Sequence, residues 1–144
     1  MTTQVVWFKR DLRVVDHAPL ANAAAAGPVM AVYVIEPGYW QQPDIGARHW
    51  AFIRESLVEL EQALATLGLP LHVLNDDLPQ AFARLHAAQP FAAIHAHEET
   101  GNAWSYQRDR AVRQWARQTG VAFYETPQFG VVRGLPNRDA WAGH

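Results

Sequence analysis

Short apolar runs alternate with helical periods along this chain as far as about residue 126, and that alternation limits the fold more tightly than any other feature. Gln4 to Phe8, Val29 to Ile35, Leu71 to Leu74, Phe91 to Ala96 and Val121 to Tyr124 are brief, rich in Val, Ile and aromatic residues, and set between turn formers. Continuous apolar runs of this length read as strands buried on both faces. Asp16 is the expected N-cap of an alanine-rich helix reaching Ala26, with Pro19 tolerated in its first turn and Gly27-Pro28 ending it. Glu36 to Pro43 reads as a loop, and Asp44 then caps a long helix. In that helix Trp50, Ile53, Leu57, Leu60, Leu64 and Leu67 recur at alternating spacings of three and four, which makes one apolar stripe. Asp76 or Asp77 opens a shorter helix through Ala87, and Ala103 to Gln118 forms another with Trp104, Ala111, Val112 and Trp115 inward. Repeated β-α units of this kind predict an α/β fold: a three-layer, Rossmann-like parallel sheet of five strands in the order 3-2-1-4-5, helices on both faces.

Length and composition narrow the class. At 144 residues the chain is one domain, and 49% hydrophobic with 18% charged residues is the balance of a globular protein. Without cysteine there is no disulfide, thiolate metal site or cysteine nucleophile. No apolar run approaches the roughly 20 residues of a membrane span, and no signal-peptide layout opens the chain, so the expected location is the cytoplasm. The net charge of −2 and the lack of a basic run in the sequence point to weak or no DNA binding by this domain itself.

In the order 3-2-1-4-5, the helices after strands 1 and 4 leave to opposite faces and open a crevice over the strand ends. The loops there are Lys9 to Arg13 and His97 to Asn102, flanked by Glu36 to Trp40. Tyr39 and Trp40 offer rings for a planar ligand, while Lys9, Arg10, Asp11, Glu36, Glu98, Glu99 and Asn102 offer polar contacts. No glycine-rich phosphate cradle follows strand 1, which weakens dinucleotide and triphosphate readings. Arg13 with Asp16, and Arg108 with Asp109, read equally as structural ion pairs pinning these loops. His95 and His97 share one strand face beside Glu98, but without a third ligand at characteristic spacing no metal site is expected. Trp50, Trp104 and Trp115 lie on helix stripes and are expected to be core.

Trp7-Phe8-Lys9-Arg10-Asp11-Leu12-Arg13, with Asp16 three residues on, resembles the N-terminal signature of the DNA photolyase/cryptochrome family; Lys9 stands where Arg is usual and His17 where Asn is usual. His97-Glu98-Glu99-Thr100-Gly101-Asn102, with Arg108-Asp109 beyond, is similar to that family's acidic loop and Arg-Asp helix. The resemblance covers residues 1–126 as the family's α/β domain, and residues 127–144 look like the start of the connector to an all-helical domain. It implies FAD in that helical domain, and an antenna cofactor in this one: methenyltetrahydrofolate, a deazaflavin or FMN. It also implies a parent that repairs pyrimidine dimers in damaged DNA as a carbon-carbon lyase, with this chain alone inactive because the FAD and lesion contacts lie elsewhere. A signalling cryptochrome would share this domain. Two other classes stay open: a free-standing nucleotide-binding domain of the electron-transfer-flavoprotein or universal-stress type, and a cofactor-free module docking through the aromatic tail Phe129 to Trp141.

Overall fold

The computed structural model describes residues 2–41, 47–99 and 103–127. Its elements run β1 (Gln4–Phe8), α1 (Ala18–Ala26), β2 (Val29–Ile35), α2 (Pro37–Trp40), α3 (Ala47–Ala65), β3 (Leu71–Asn75), α4 (Gln80–Ala88), β4 (Ala93–His97), α5 (Ala103–Thr119) and β5 (Ala122–Thr126). The five strands form one sheet in the order β3-β2-β1-β4-β5, every neighbouring pair parallel. β1 sits at the centre, Val5 opposite both Met30 and Ile94, and all five of its residues are buried. This is the expected architecture.

Because side chains alternate across a strand, β1 feeds two cores. Val5 and Trp7 join Val32, Ile94, Phe82, Val112 and Ala116 beneath α4 and α5. Val6 and Phe8 join Ala31, Leu20, Ile53, Leu60 and Leu64 beneath α1 and α3. Trp7 meets Phe82 edge to face at 5.3 Å, a contact that orients the first core as well as filling it.

Several local expectations are corrected. The N-cap of α1 is His17, whose Nδ1 accepts the Leu20 N–H at 3.1 Å. Asp16 instead takes a turn conformation with φ 53°, which carries its side chain away from the helix start. The stretch after Glu36 is a short helix rather than a loop: Pro37 supplies a preset first helical position, and the Gly38 N–H is satisfied by Asp77 Oδ1 at 2.9 Å. Asp77 is thus used by α2, and α4 starts later, at Gln80, with no side-chain cap. Leu67 is 55% exposed because α3 ends at Ala65 and the chain turns through Gly68. On α5 the buried line is Ser105, Arg108, Asp109, Val112 and Ala116, with Trp104, Ala111 and Trp115 half-buried beside it. Two charged residues therefore face inward where apolar ones were expected, because their partners Lys9, Glu36 and Glu99 lie just past the ends of β1, β2 and β4. Asp44 and residues 128–144 lie outside the described residues. Among the described residues no helix is long and apolar enough to cross a membrane.

Candidate functional site

At the carboxyl ends of β1 and β4, α1 and α5 depart to opposite faces of the sheet, and two buried polar clusters fill the parting. The first is built on Asp11. Its Oδ1 accepts the Lys9 N–H at 2.8 Å, and its Oδ2 takes His17 Nε2 at 2.6 Å and His97 Nδ1 at 2.7 Å. Burial would raise the Asp11 carboxyl, but the bonds from His17 and His97, the electrostatic pull of the His17 ring and the Lys9 N–H outweigh it and hold it far below the usual carboxylate range. His17 also has its tautomer fixed by the fold: Nδ1 accepts from Leu20, so in the neutral ring the hydrogen sits on Nε2, aimed at Asp11. The ligand atoms of Asp11, His17 and His97 lie within 4.8 Å of one another, a spacing that suits a cation. The chemistry does not, since the His17 nitrogen facing the centre has no free lone pair. His95 is separate from this group; its Nε2 bonds Gln4 Oε1 at 2.7 Å, and its ring lies 5.0 Å from Tyr124.

The second cluster is centred on Arg108. Its Nε reaches Asp109 Oδ1 at 2.7 Å, its Nη1 reaches Glu36 Oε2 at 2.5 Å, and its Nη2 bonds Glu99 Oε1. The guanidinium lies over two indoles, 5.0 Å from the Trp7 ring centre and 5.4 Å from that of Trp104. Lys9, equally buried, places Nζ 3.2 Å from Asp109 Oδ2, 3.0 Å from the His97 carbonyl oxygen and 4.3 Å from the Trp7 ring centre. Arg10 pairs with Glu99 Oε2 at 3.2 Å while its side chain stays 55% exposed. Glu36 is the least satisfied member: Oε1 is buried with no hydrogen bond. Burial pushes its carboxyl up to about 7, with Glu99 and Asp109 adding to the rise and Arg108 opposing it. Burial, reinforced by the Glu36 charge, also raises the neighbouring Tyr33 hydroxyl.

Of the residues singled out in the sequence, Lys9, Arg10, Glu36, Tyr39, Trp40 and Glu99 line one crevice. Asp11 does not line it but is turned toward His17 and His97. Glu98 is exposed, its N–H bonded to the Thr126 carbonyl oxygen at 2.8 Å, and Asn102 lies outside the described residues. Arg13 makes no bond to the Asp16 carboxylate; Nε and Nη2 donate instead to the backbone carbonyls of Val15 and Asp16 at 3.0 and 3.1 Å. The left-handed turn at Asp16 presents the carbonyl, not the side chain, to Arg13. The expected Arg108–Asp109 ion pair forms, but sequence reasoning did not place Arg108 in the crevice with Glu36 and Glu99. The signal was its position one turn before Val112 on the inward stripe, where an unpaired arginine would be too costly to bury.

A family model described as DNA photolyase matches residues 4–132, which takes in both clusters. The chain belongs to the DNA photolyase family. The deoxyribodipyrimidine photo-lyase of Salmonella typhimurium is 45% identical over 73 residues, covering 49% of this chain and 15% of that protein. Among solved structures, the cryptochrome of Synechocystis sp. PCC6803 matches with a TM-score of 0.79 at 25% identity, over 85% of this chain and 26% of that one. The archaeal photolyase from Sulfolobus tokodaii, solved with two FAD molecules that imply a novel light-harvesting cofactor there, matches in fold with a TM-score of 0.77 at 22% identity, over 92% of this chain and 32% of that one. The chain thus spans between 15% and 32% of the length of these photolyase-family relatives. In family terms the two polar clusters are built from the very segments that carried the resemblance, the run after β1 and the Arg-Asp pair of α5.

Proposed function

We propose that this chain is the antenna-type α/β domain of a flavoprotein that repairs ultraviolet-made pyrimidine dimers, working with FAD held in a helical domain of the same polypeptide. The observation that carries this reading is the family match across residues 4–132, centred on the two buried clusters that shape the strand-end crevice. Nothing in those clusters is arranged as a nucleophile or a general base on an open site; every charged member is committed to a neighbour, which suits a domain that supports light chemistry done elsewhere.

The crevice also bears on the antenna. Between its described lining residues there is room for water centres of only about 30 Å³, about two water molecules. Pockets that bury small ligands run to roughly 300–1,000 Å³. The slot a flat ring would enter is taken by the Arg108 guanidinium over Trp7 and Trp104. This favours a ligand at the rim over a three-ring flavin or deazaflavin sunk inside the ion network. The rim is different: Arg10 is exposed, Tyr39, Trp40 and Trp104 are half-buried, and Glu99 joins Arg10 to Arg108. We assign an antenna of the methenyltetrahydrofolate class to this rim, against the helical domain, where Arg10 would hold its carboxylates and the rings of Tyr39 and Trp104 would flank it. Such a folate, when bound, absorbs near-ultraviolet light and passes the excitation to FAD.

The test uses the full-length polypeptide: near-ultraviolet light should restore a dimer-containing oligonucleotide, and methenyltetrahydrofolate should raise the rate. Absence of repair would refute the enzymatic reading. Tight binding of FMN by the 144-residue chain would refute the assignment to the rim.

A further inference from the structure

The sequence shows no basic run, yet folding makes a basic surface. Arg110, Arg113 and Arg117, with Gln107, Gln114 and Ala111, stand along the outer side of α5 around a shallow trough of about 490 Å³. Arg113 is partly neutralised by Glu125 at 2.6 Å. Arg110 and Arg117 are exposed, and among the described residues neither lies within ion-pair distance of a carboxylate. The helix contains a single acid, Asp109, and that one is buried on the inner face beneath Lys9 and Arg108. At one end of the row Tyr106 is 61% exposed, with the Arg110 guanidinium 5.8 Å from its ring centre.

We infer that the outer face of α5 is a contact surface for the phosphate backbone of a nucleic acid. The composition selects this partner over an acidic protein. The only apolar side chain in the trough is Ala111, so a protein partner would find no core to bury, whereas interfaces with nucleic acid are polar and strongly positive. Guanidinium forks match phosphate oxygens two at a time, glutamine amides add neutral donors, and an exposed tyrosine gives a base or sugar a flat face. The spacing agrees: seven residues of helix separate Arg110 from Arg117, about 10.5 Å, or about three base-pair steps of one strand. Because α5 starts at the strand-end crevice and runs to the far end of the sheet, this contact leads away from the antenna rim. It stands independently of the proposed repair activity.

Three arginines make a weak site, in keeping with the net charge of −2. The experiment is fluorescence anisotropy of a labelled undamaged 20-base-pair duplex titrated with the 144-residue chain at several salt concentrations, beside the double variant Arg110→Gln/Arg117→Gln. The expected dissociation constant is in the tens of micromolar at low salt and rises with salt, toward or beyond the weak end of the range of about 10⁻⁴ to 10⁻⁶ M usual for non-specific binding at physiological salt. The double variant should bind roughly ten-fold more weakly, and its slope of log affinity against log salt should be shallower by about 1.8. Circular dichroism checks that the variant folds, which both exposed positions allow. Equal affinity and slope in the two proteins would overturn the inference. So would displacement of the duplex by poly-glutamate as readily as by unlabelled DNA of equal charge.

Discussion

Glu36→Gln tests whether the crevice stores a proton. In the folded protein the Glu36 carboxyl is pushed from its ordinary 4.5 up to about 7, so the native state binds a proton that the unfolded chain has already released over that interval. A rise of about 2.5 decades in proton affinity, at about 1.36 kcal/mol per decade, amounts to about 3 kcal/mol. The sign follows from which state is protonated: this contribution is complete below pH 4.5, declines as pH rises through about 7, and is gone above that. Only 8% of the side chain is exposed, so solvent screening takes little from the figure. His95 acts in the same pH region with the opposite sign, since burial lowers it and its contribution is lost as pH falls below its ordinary 6.5. Asp11, held low, acts only in more acid solution. Comparing the variant with the wild type cancels both. Urea unfolding at a series of pH values should show the Gln variant gaining on the wild type by about 3 kcal/mol between pH 4.5 and 8, with unchanged m-values. Parallel stability curves for the two proteins would show that Glu36 ionises as an ordinary carboxylate, and the argument from its burial and bare Oε1 would be wrong.

Leu60→Ala, at a position 1% exposed in the core beneath α3, should cost about 2–5 kcal/mol of unfolding free energy in urea, whereas Leu67→Ala should change it by less than about 0.5 kcal/mol. His17→Ala removes both the cap of α1 and one of the three donors to buried Asp11; a loss of about 2–4 kcal/mol in urea unfolding is expected, combining roughly 1 for the cap with 1–3 for the lost hydrogen bond to the carboxylate. Zinc should leave the melting temperature of the wild type unchanged, because the His17 tautomer closes that nitrogen to a metal; a rise would show that the tautomer rearranges.

The fold was legible because its signals are local and repeated: five apolar runs and a stripe at Ile53, Leu60 and Leu64 leave few ways to pair the strands, although β3 and β5, expected to be buried on both faces, are edge strands with Val73 and Tyr124 exposed. The errors fell where one side chain had two competing uses. Asp77 looked like a helix cap, but the Gly38 N–H, 39 residues away in sequence, claimed it. Asp16 looked like another, but His17 could cap α1 and bond Asp11 with its two nitrogens, which an aspartate in that place could not do. At the crevice, Lys9, Arg10, Glu36 and Glu99 were visible as charges beside strand ends. What they bind was not, since Arg108 reaches Glu36 and Glu99 from a helix, 72 residues beyond Glu36, and only the packed sheet brings them within bonding distance. The basic row on α5 was hidden for a similar reason: Arg110, Arg113 and Arg117 are interleaved with neutral residues, and helical winding alone puts them on one side.

The central place of β1 has a consequence for synthesis of the chain. Gln4 to Phe8 leaves the ribosome before the other four strands, yet the sheet pairs it on one side with β2 and on the other with β4, where Val5 meets Ile94. At about 5–20 residues per second, roughly 90 residues take some 4 to 18 seconds to follow it out. Throughout that interval the strand destined to be most deeply buried has one unpaired edge, and Asp109 and the end of β4, which hold the Lys9 ammonium, are not yet made. Folding of the nascent chain must therefore be late and abrupt, and the bare edge of the β1-β2 pair is where a chaperone would have most to protect.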